Sequence, residues 1–111
     1  MKKIYNKLVR DKIPEIIFES GANPEYITLF DHKFDKELDH KLLEEINEYL
    51  QAKTEEDKVE ELADIIEVIE AIINNKGNML QVMMIKNEKA KAKGKFIKKY
   101  FLESVEEKDN D

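Results

Sequence analysis

Two long segments carry apolar side chains at helical spacing, Asp35 to Ala52 and Glu55 to Asn75, and each reads as a helix with one buried stripe. Lys53 and Thr54 join them. So short a link makes the two helices antiparallel neighbours, with Thr54 as N-cap of the second. Gly77 closes that helix, Asn78 can cap another running from Met79 toward Lys93, and Gly94 ends it. Upstream, Asn6 to Gly21 reads as a basic lead-in followed by a short helix, with Pro14 tolerated in its first turn and Gly21 at its stop. Tyr26 to Phe30 is β-prone and admits one short strand, while Phe96 to Leu102 is open to a strand or a last helical turn. The pattern predicts an all-α fold, an antiparallel bundle of about four helices with a short strand or extended segment near the termini. One domain over residues 1–102 is expected, followed by a frayed, solvated tail over 103–111.

Composition sharpens this picture by exclusion. The chain has 111 residues, 40% of them charged, with Gly 3 and Pro 2, a balance rich in helix formers and poor in turn formers that excludes an all-β barrel or sandwich. With no cysteine, disulfides, thiolate metal sites and cysteine nucleophiles fall away. No apolar run approaches the ~18 residues of a membrane span, and the opening Met1 to Asn6 lacks the apolar stretch of a signal peptide, so a cytoplasmic location is expected. The net charge of −6 argues against general nucleic-acid binding. Charge is also uneven: Asp35 to Glu70 holds 14 acids against 4 lysines, whereas Lys86 to Lys99 holds 7 lysines against one glutamate. That basic run has little apolar face, which speaks against membrane-surface attachment.

The acids matter through their placement. At ~100° per residue with Leu38 at zero, the stripe of Leu42, Leu43, Ile46, Tyr49 and Leu50 spans about 0° to 140°. Glu45 falls at its edge, Glu48 one step further out and Glu44 beyond that. On the second helix Glu61 sits inside the apolar arc formed by Leu62, Ile65, Ile66, Val68, Ile69, Ile72 and Ile73, with Asp64 beside it, while Glu60, Glu67 and Glu70 point to solvent. Burying a carboxylate costs several kcal/mol unless it is paired or binds a cation. Four acids in E-x-x-E and E-x-x-D spacing, in a chain whose sole arginine is Arg10, are best answered by a hard divalent ion, because oxygen-only ligation suits Mg²⁺ or Mn²⁺. Mg²⁺ held by a few carboxylates usually completes its shell with water and phosphate, which points to phosphate chemistry.

Other chemistries lack their residues. His32 and His40 do not lie three residues after these acids, as a di-iron bundle would require. Gly21, Gly77 and Gly94 are isolated, so no phosphate-binding glycine loop exists. Met83 and Met84 suit a core or subunit interface.

Glu44-Glu45-Ile46-Asn47-Glu48, then twelve residues, then Glu61-Leu62-Ala63-Asp64 resembles the E-E-x-x-E … E-x-x-D signature of the MazG-like all-α nucleoside triphosphate pyrophosphatases. The opening Tyr5 to Ile17 resembles the start of a small single-domain branch labelled phosphoribosyl-ATP pyrophosphohydrolase-like, and Lys93-Gly94-Lys95-Phe96 echoes its C-terminal Lys/Arg-Gly-Gly-Phe segment, with Lys95 replacing the second glycine. The resemblance implies that Glu45, Glu48, Glu61 and Asp64 hold Mg²⁺, with Mn²⁺ as a substitute, and that Glu44 stands nearby. It also implies a helical bundle that assembles into a homodimer or homotetramer.

The expected activity is hydrolysis of a nucleoside triphosphate between the α and β phosphates, giving a monophosphate and pyrophosphate. Glu48 or Glu44 would orient or deprotonate the attacking water. Lys7, Arg10, Lys12, Lys93 and Lys98 are the candidate phosphate contacts, Arg10 first because its fork suits bidentate binding. Two alternatives stand beside this: phosphoribosyl-ATP hydrolysis, and a non-catalytic helical oligomer that binds nucleotide or protein.

Overall fold

A computed structural model describes residues 1–108. Residues 109–111, the end of the expected tail, lie outside the described residues. The described chain is all-α, with α1 (Ile13–Glu19), α2 (Asp31–Gln51), α3 (Glu55–Lys76) and α4 (Met79–Lys93), and it contains no strand. It forms two compact units, Met1–Met79 and Leu80–Asp111.

In the first unit α2 and α3 pack against each other as a hairpin. Thr54 caps α3 as its sequence position predicts: its side-chain oxygen accepts the Asp57 N–H at 3.1 Å, and Glu55, Glu56 and Asp57 place negative charge in the first turn, where the helix dipole favours it. The C-terminal end of α2 has no basic residue of its own. Lys58 of α3 supplies one, donating to the Tyr49 carbonyl at 2.9 Å while its ammonium lies 4.5 Å from the centroid of the Tyr49 ring. Both contacts fix the tight connection.

α2 begins at Asp31, four residues before the start expected at Asp35. No side chain caps this end, and Asp31 has φ of 51°, so the signal that marks most helix starts is missing. Within the added turn Lys33 N–H donates to the Phe30 carbonyl, and just after it Asn75 of α3 donates to the Asp35 carboxylate. α1 matches its sequence reading, with Pro14 in its first turn and Gly21 beyond its end at φ 98°.

The β-prone segment Tyr26 to Phe30 forms no strand; a strand needs a partner ladder, and none exists among the described residues. Tyr26, Ile27 and Phe30 are exposed. Phe96 to Leu102 is likewise neither strand nor helix, but a turn at Ile97 and Lys98 followed by Lys99 at φ 59°, a conformation that continues neither element. In the second unit α4 ends as expected: Gly94 takes φ 85° and donates to the Ala90 carbonyl at 2.8 Å, and Lys91 and Lys93 complement the carbonyl end. No helix among the described residues is long and apolar enough to cross a membrane.

Burial is sparse. Among the described residues, Leu38 is the only buried apolar side chain and Glu45 the only buried charged one. On α2 the covered arc runs through Leu38, Leu42, Glu45, Ile46 and Tyr49, leaving Leu43 and Leu50 exposed. On α3 the covered arc holds Glu61, Asp64, Ile65, Val68 and Ile72, leaving Leu62, Ile66 and Ile69 exposed. Each apolar stripe is wider than one partner helix can cover, and the hairpin contact lies on its acidic edge.

Candidate metal centre

Three of the four predicted ligands come together. Glu45 from α2 and Glu61 and Asp64 from α3 each offer a carboxylate oxygen, all within 4.8 Å of one another. The helical spacing explains the convergence. Glu61 and Asp64 are i, i+3 neighbours and therefore share a face, and the short connection folds that face onto the side of α2 that carries Glu45. Glu48, also expected as a ligand, is exposed and outside this three-residue group, yet it stands within hydrogen-bonding reach of both Glu45 and Glu61.

Crowding perturbs these acids. Burial, then a hydrogen bond and repulsion from Glu48, push the Glu45 carboxyl up to about 7, with Lys41 pulling against the rise and Asp64 adding to it. Glu61 is also raised, by burial first and then by the Glu48 charge. Among the described residues, Glu45 Oε2 and Glu61 Oε2 are the buried side-chain oxygens without a hydrogen-bond partner. An orphaned carboxylate oxygen at such depth is costly.

The donor set fits a hard divalent cation: all ligands are oxygens, two of the oxygens lack partners, and their separation is close to what an ion requires. Three carboxylates would leave the rest of a six-coordinate Mg²⁺ shell to water or to the oxygens of a ligand.

Two cations already lean on the cluster. Arg10 Nη2 lies 2.7 Å from Asp64 Oδ1, and Arg10 Nη1 lies 3.5 Å from Glu67 Oε1. Lys41 Nζ lies 3.5 Å from Glu45 Oε1 and 3.4 Å from Glu44 Oε2. Lys7 Nζ approaches Glu44 Oε1 at 3.6 Å, so Glu44 is drawn toward lysines at the rim. Lys41 escaped the sequence reading, although its i, i+4 relation to Glu45 was a visible signal. Lys12 precedes α1 and is exposed. Lys93 and Lys98 belong to the second unit, where Lys98 sits 6.0 Å from the Tyr100 ring centroid.

Elsewhere in the first unit, an open concavity of about 420 Å³ lies beside α1, lined by residues that include Asp11, Pro14, Glu15, Phe18, Pro24 and Tyr26. It contains none of the acids of the cluster. No family model matches the chain, and neither does any curated protein or solved structure.

Proposed function

We propose that the chain is a Mg²⁺-dependent nucleoside triphosphate pyrophosphohydrolase, Mn²⁺ serving in place of Mg²⁺, that cleaves between the α and β phosphates. The observation that carries this reading is the convergence of Glu45, Glu61 and Asp64, with two buried carboxylate oxygens left without partners. The E-E-x-x-E … E-x-x-D spacing of the same acids, with its resemblance to the MazG-like signature, agrees with it. A divalent ion at this position screens phosphate charge and acidifies bound water.

The chain's own groups supply the rest. Glu48, exposed beside Glu45 and Glu61, orients a water and takes its proton as that water adds to phosphorus; the P–O–P bridge breaks and pyrophosphate leaves with the bridging electron pair. Lys7 and Arg10, at the rim of the cluster, meet the phosphates, with Lys12 following on the same segment.

The same reading includes self-association. With Leu38 the one buried apolar side chain among the described residues, the hairpin falls short of the apolar burial that ordinarily offsets chain entropy. The exposed Leu43, Leu50, Leu62 and Ile66 are the surface that a second copy would cover.

The test is release of pyrophosphate from ordinary and modified nucleoside triphosphates, with phosphoribosyl-ATP as comparison, in Mg²⁺ and in EDTA. Metal-dependent release from one of the triphosphates supports the proposal. Absence of turnover together with absence of metal binding refutes it.

A further inference from the structure

Arg10 pairs with one of the three acids that the proposed ion would need. Its Nη2 lies 2.7 Å from Asp64 Oδ1, and Asp64 belongs to the group of three converging acids. Glu45 in that group is 7% exposed with an unpartnered oxygen, so the group that Arg10 reaches through Asp64 keeps a buried donor with no partner. A guanidinium and a dication sharing one carboxylate would stand a few Å apart and repel.

Arg10 is built to yield. Its side chain is 56% exposed, and its second contact, to Glu67, is long at 3.5 Å with Glu67 itself 55% exposed. Ion pairs so exposed bias an equilibrium by no more than about fivefold. The segment bearing Arg10 precedes α1, outside any helix, so a change of side-chain direction breaks no backbone hydrogen bond of a helix. Lys7, three residues earlier, makes a similarly long contact to Glu44 on α2.

We infer that Arg10 is a displaceable counter-ion: it neutralises Asp64 in the metal-free chain, is released when a divalent cation takes Asp64, and is then free to grip an incoming phosphate. This rests on the metal reading above. Its consequence is order. The phosphate clamp is armed by the metal, because an anion arriving first would have to compete with Asp64 and Glu67 for the guanidinium.

Arg10 is the only arginine in the chain, so its side-chain Nε–H gives a single arginine resonance in a ¹⁵N-labelled sample of the full chain. Titrated with Mg²⁺ from an EDTA-treated start, that resonance is expected to move along the same saturation curve as the backbone amides of Glu45 and Glu61. Inorganic phosphate should move it further after Mg²⁺ and leave it in place before. By Mn²⁺ paramagnetic resonance, R10Q should bind the ion up to about fivefold more tightly than the unmodified chain, with R10K restoring the weaker binding. If the amides titrate while the Arg10 resonance stays still, if phosphate moves it equally without metal, or if R10Q binds Mn²⁺ no more tightly, the counter-ion role fails and the metal reading stands. If nothing titrates, the metal reading itself fails and takes this inference with it.

Discussion

Replacing Glu45 by glutamine tests the physics of the cluster without any assumption about substrate. The Glu45 carboxyl is pushed from 4.5 to about 7, by burial first and then by Glu48. A group whose proton is held more tightly in the folded chain adds stability that is complete below about pH 4.5 and is lost as pH rises through about 7. The interval corresponds to about 3 kcal/mol, a large share of the few kcal/mol that hold a small domain together. Glutamine keeps the shape and stays neutral, so Glu45→Gln should not suffer this loss. In EDTA, urea unfolding followed by far-UV circular dichroism at fixed protein concentration should show the unmodified chain falling behind the variant by about 3 kcal/mol between about pH 5 and about pH 8. Ionised carboxylates are what a cation binds, so Mg²⁺ at about a hundred times its dissociation constant should return about 2.7 kcal/mol to the unmodified chain at the alkaline end, and little to the variant. Parallel pH profiles for the two proteins in EDTA would refute the claim that Glu45 is held as a strained buried acid.

Three further outcomes are expected. Glu61→Gln should lower metal-dependent pyrophosphate release by about a hundredfold or more while leaving the helical circular dichroism intact; retained release would remove Glu61 from the site. Thr54→Ala removes the cap on the Asp57 N–H and should cost about 1 kcal/mol, read as a fall of roughly 4 to 8 °C in Tm; an unchanged Tm would mean that the cap does not anchor α3. Ile66→Asp places a charge on a side chain that is 57% exposed and should shift sedimentation toward the 13.1 kDa monomer. A native chain that already sediments as a stable monomer would exclude the proposed self-association.

The helices, their link and their stops were legible because each is a local signal. Thr54 caps, Gly21 and Gly94 take positive φ after their helices, and the apolar spacing in α2 and α3 is strong. The start of α2 was not legible, since Asp31 has no capping side chain before it and the bond from Asn75 to Asp35 joins residues forty apart. The failed strand at Tyr26 to Phe30 is the same lesson reversed: its residues favour extended backbone, but pairing depends on a second strand elsewhere. At the candidate site, angular position on each helix identified Glu45, Glu61 and Asp64. Glu48, one angular step further out, is exposed and still within hydrogen-bonding reach of Glu45 and Glu61. Arg10 was singled out for phosphate; its hold on Asp64 depends on how the segment before α1 lies across α3, which no local pattern encodes.

The way α2 and α3 are turned toward each other ties the acids to the open apolar faces. Rotating each helix by about 100° would bring Leu43 and Leu50 of α2 against Leu62 and Ile66 of α3 and return Glu45 and Glu61 to water. That rotation would also expose Leu38, Leu42, Ile46 and Tyr49 of α2 and Ile65, Val68 and Ile72 of α3, so it trades one apolar set for another, and its clear gain is that the desolvation of two carboxylates is avoided. The chain instead buries the acid edge and leaves Leu43 and Leu50 at 60% and 66% exposure. The buried acids and the exposed leucines have chemically distinct remedies: a cation for the carboxylates and an apolar partner for the leucines. The proposed ion and the proposed second copy would therefore answer different edges of the same two stripes. On these proposals Mg²⁺ should stabilise the chain at any protein concentration, while raising protein concentration should stabilise it even in EDTA; a native chain whose unfolding midpoint responds to neither would refute both.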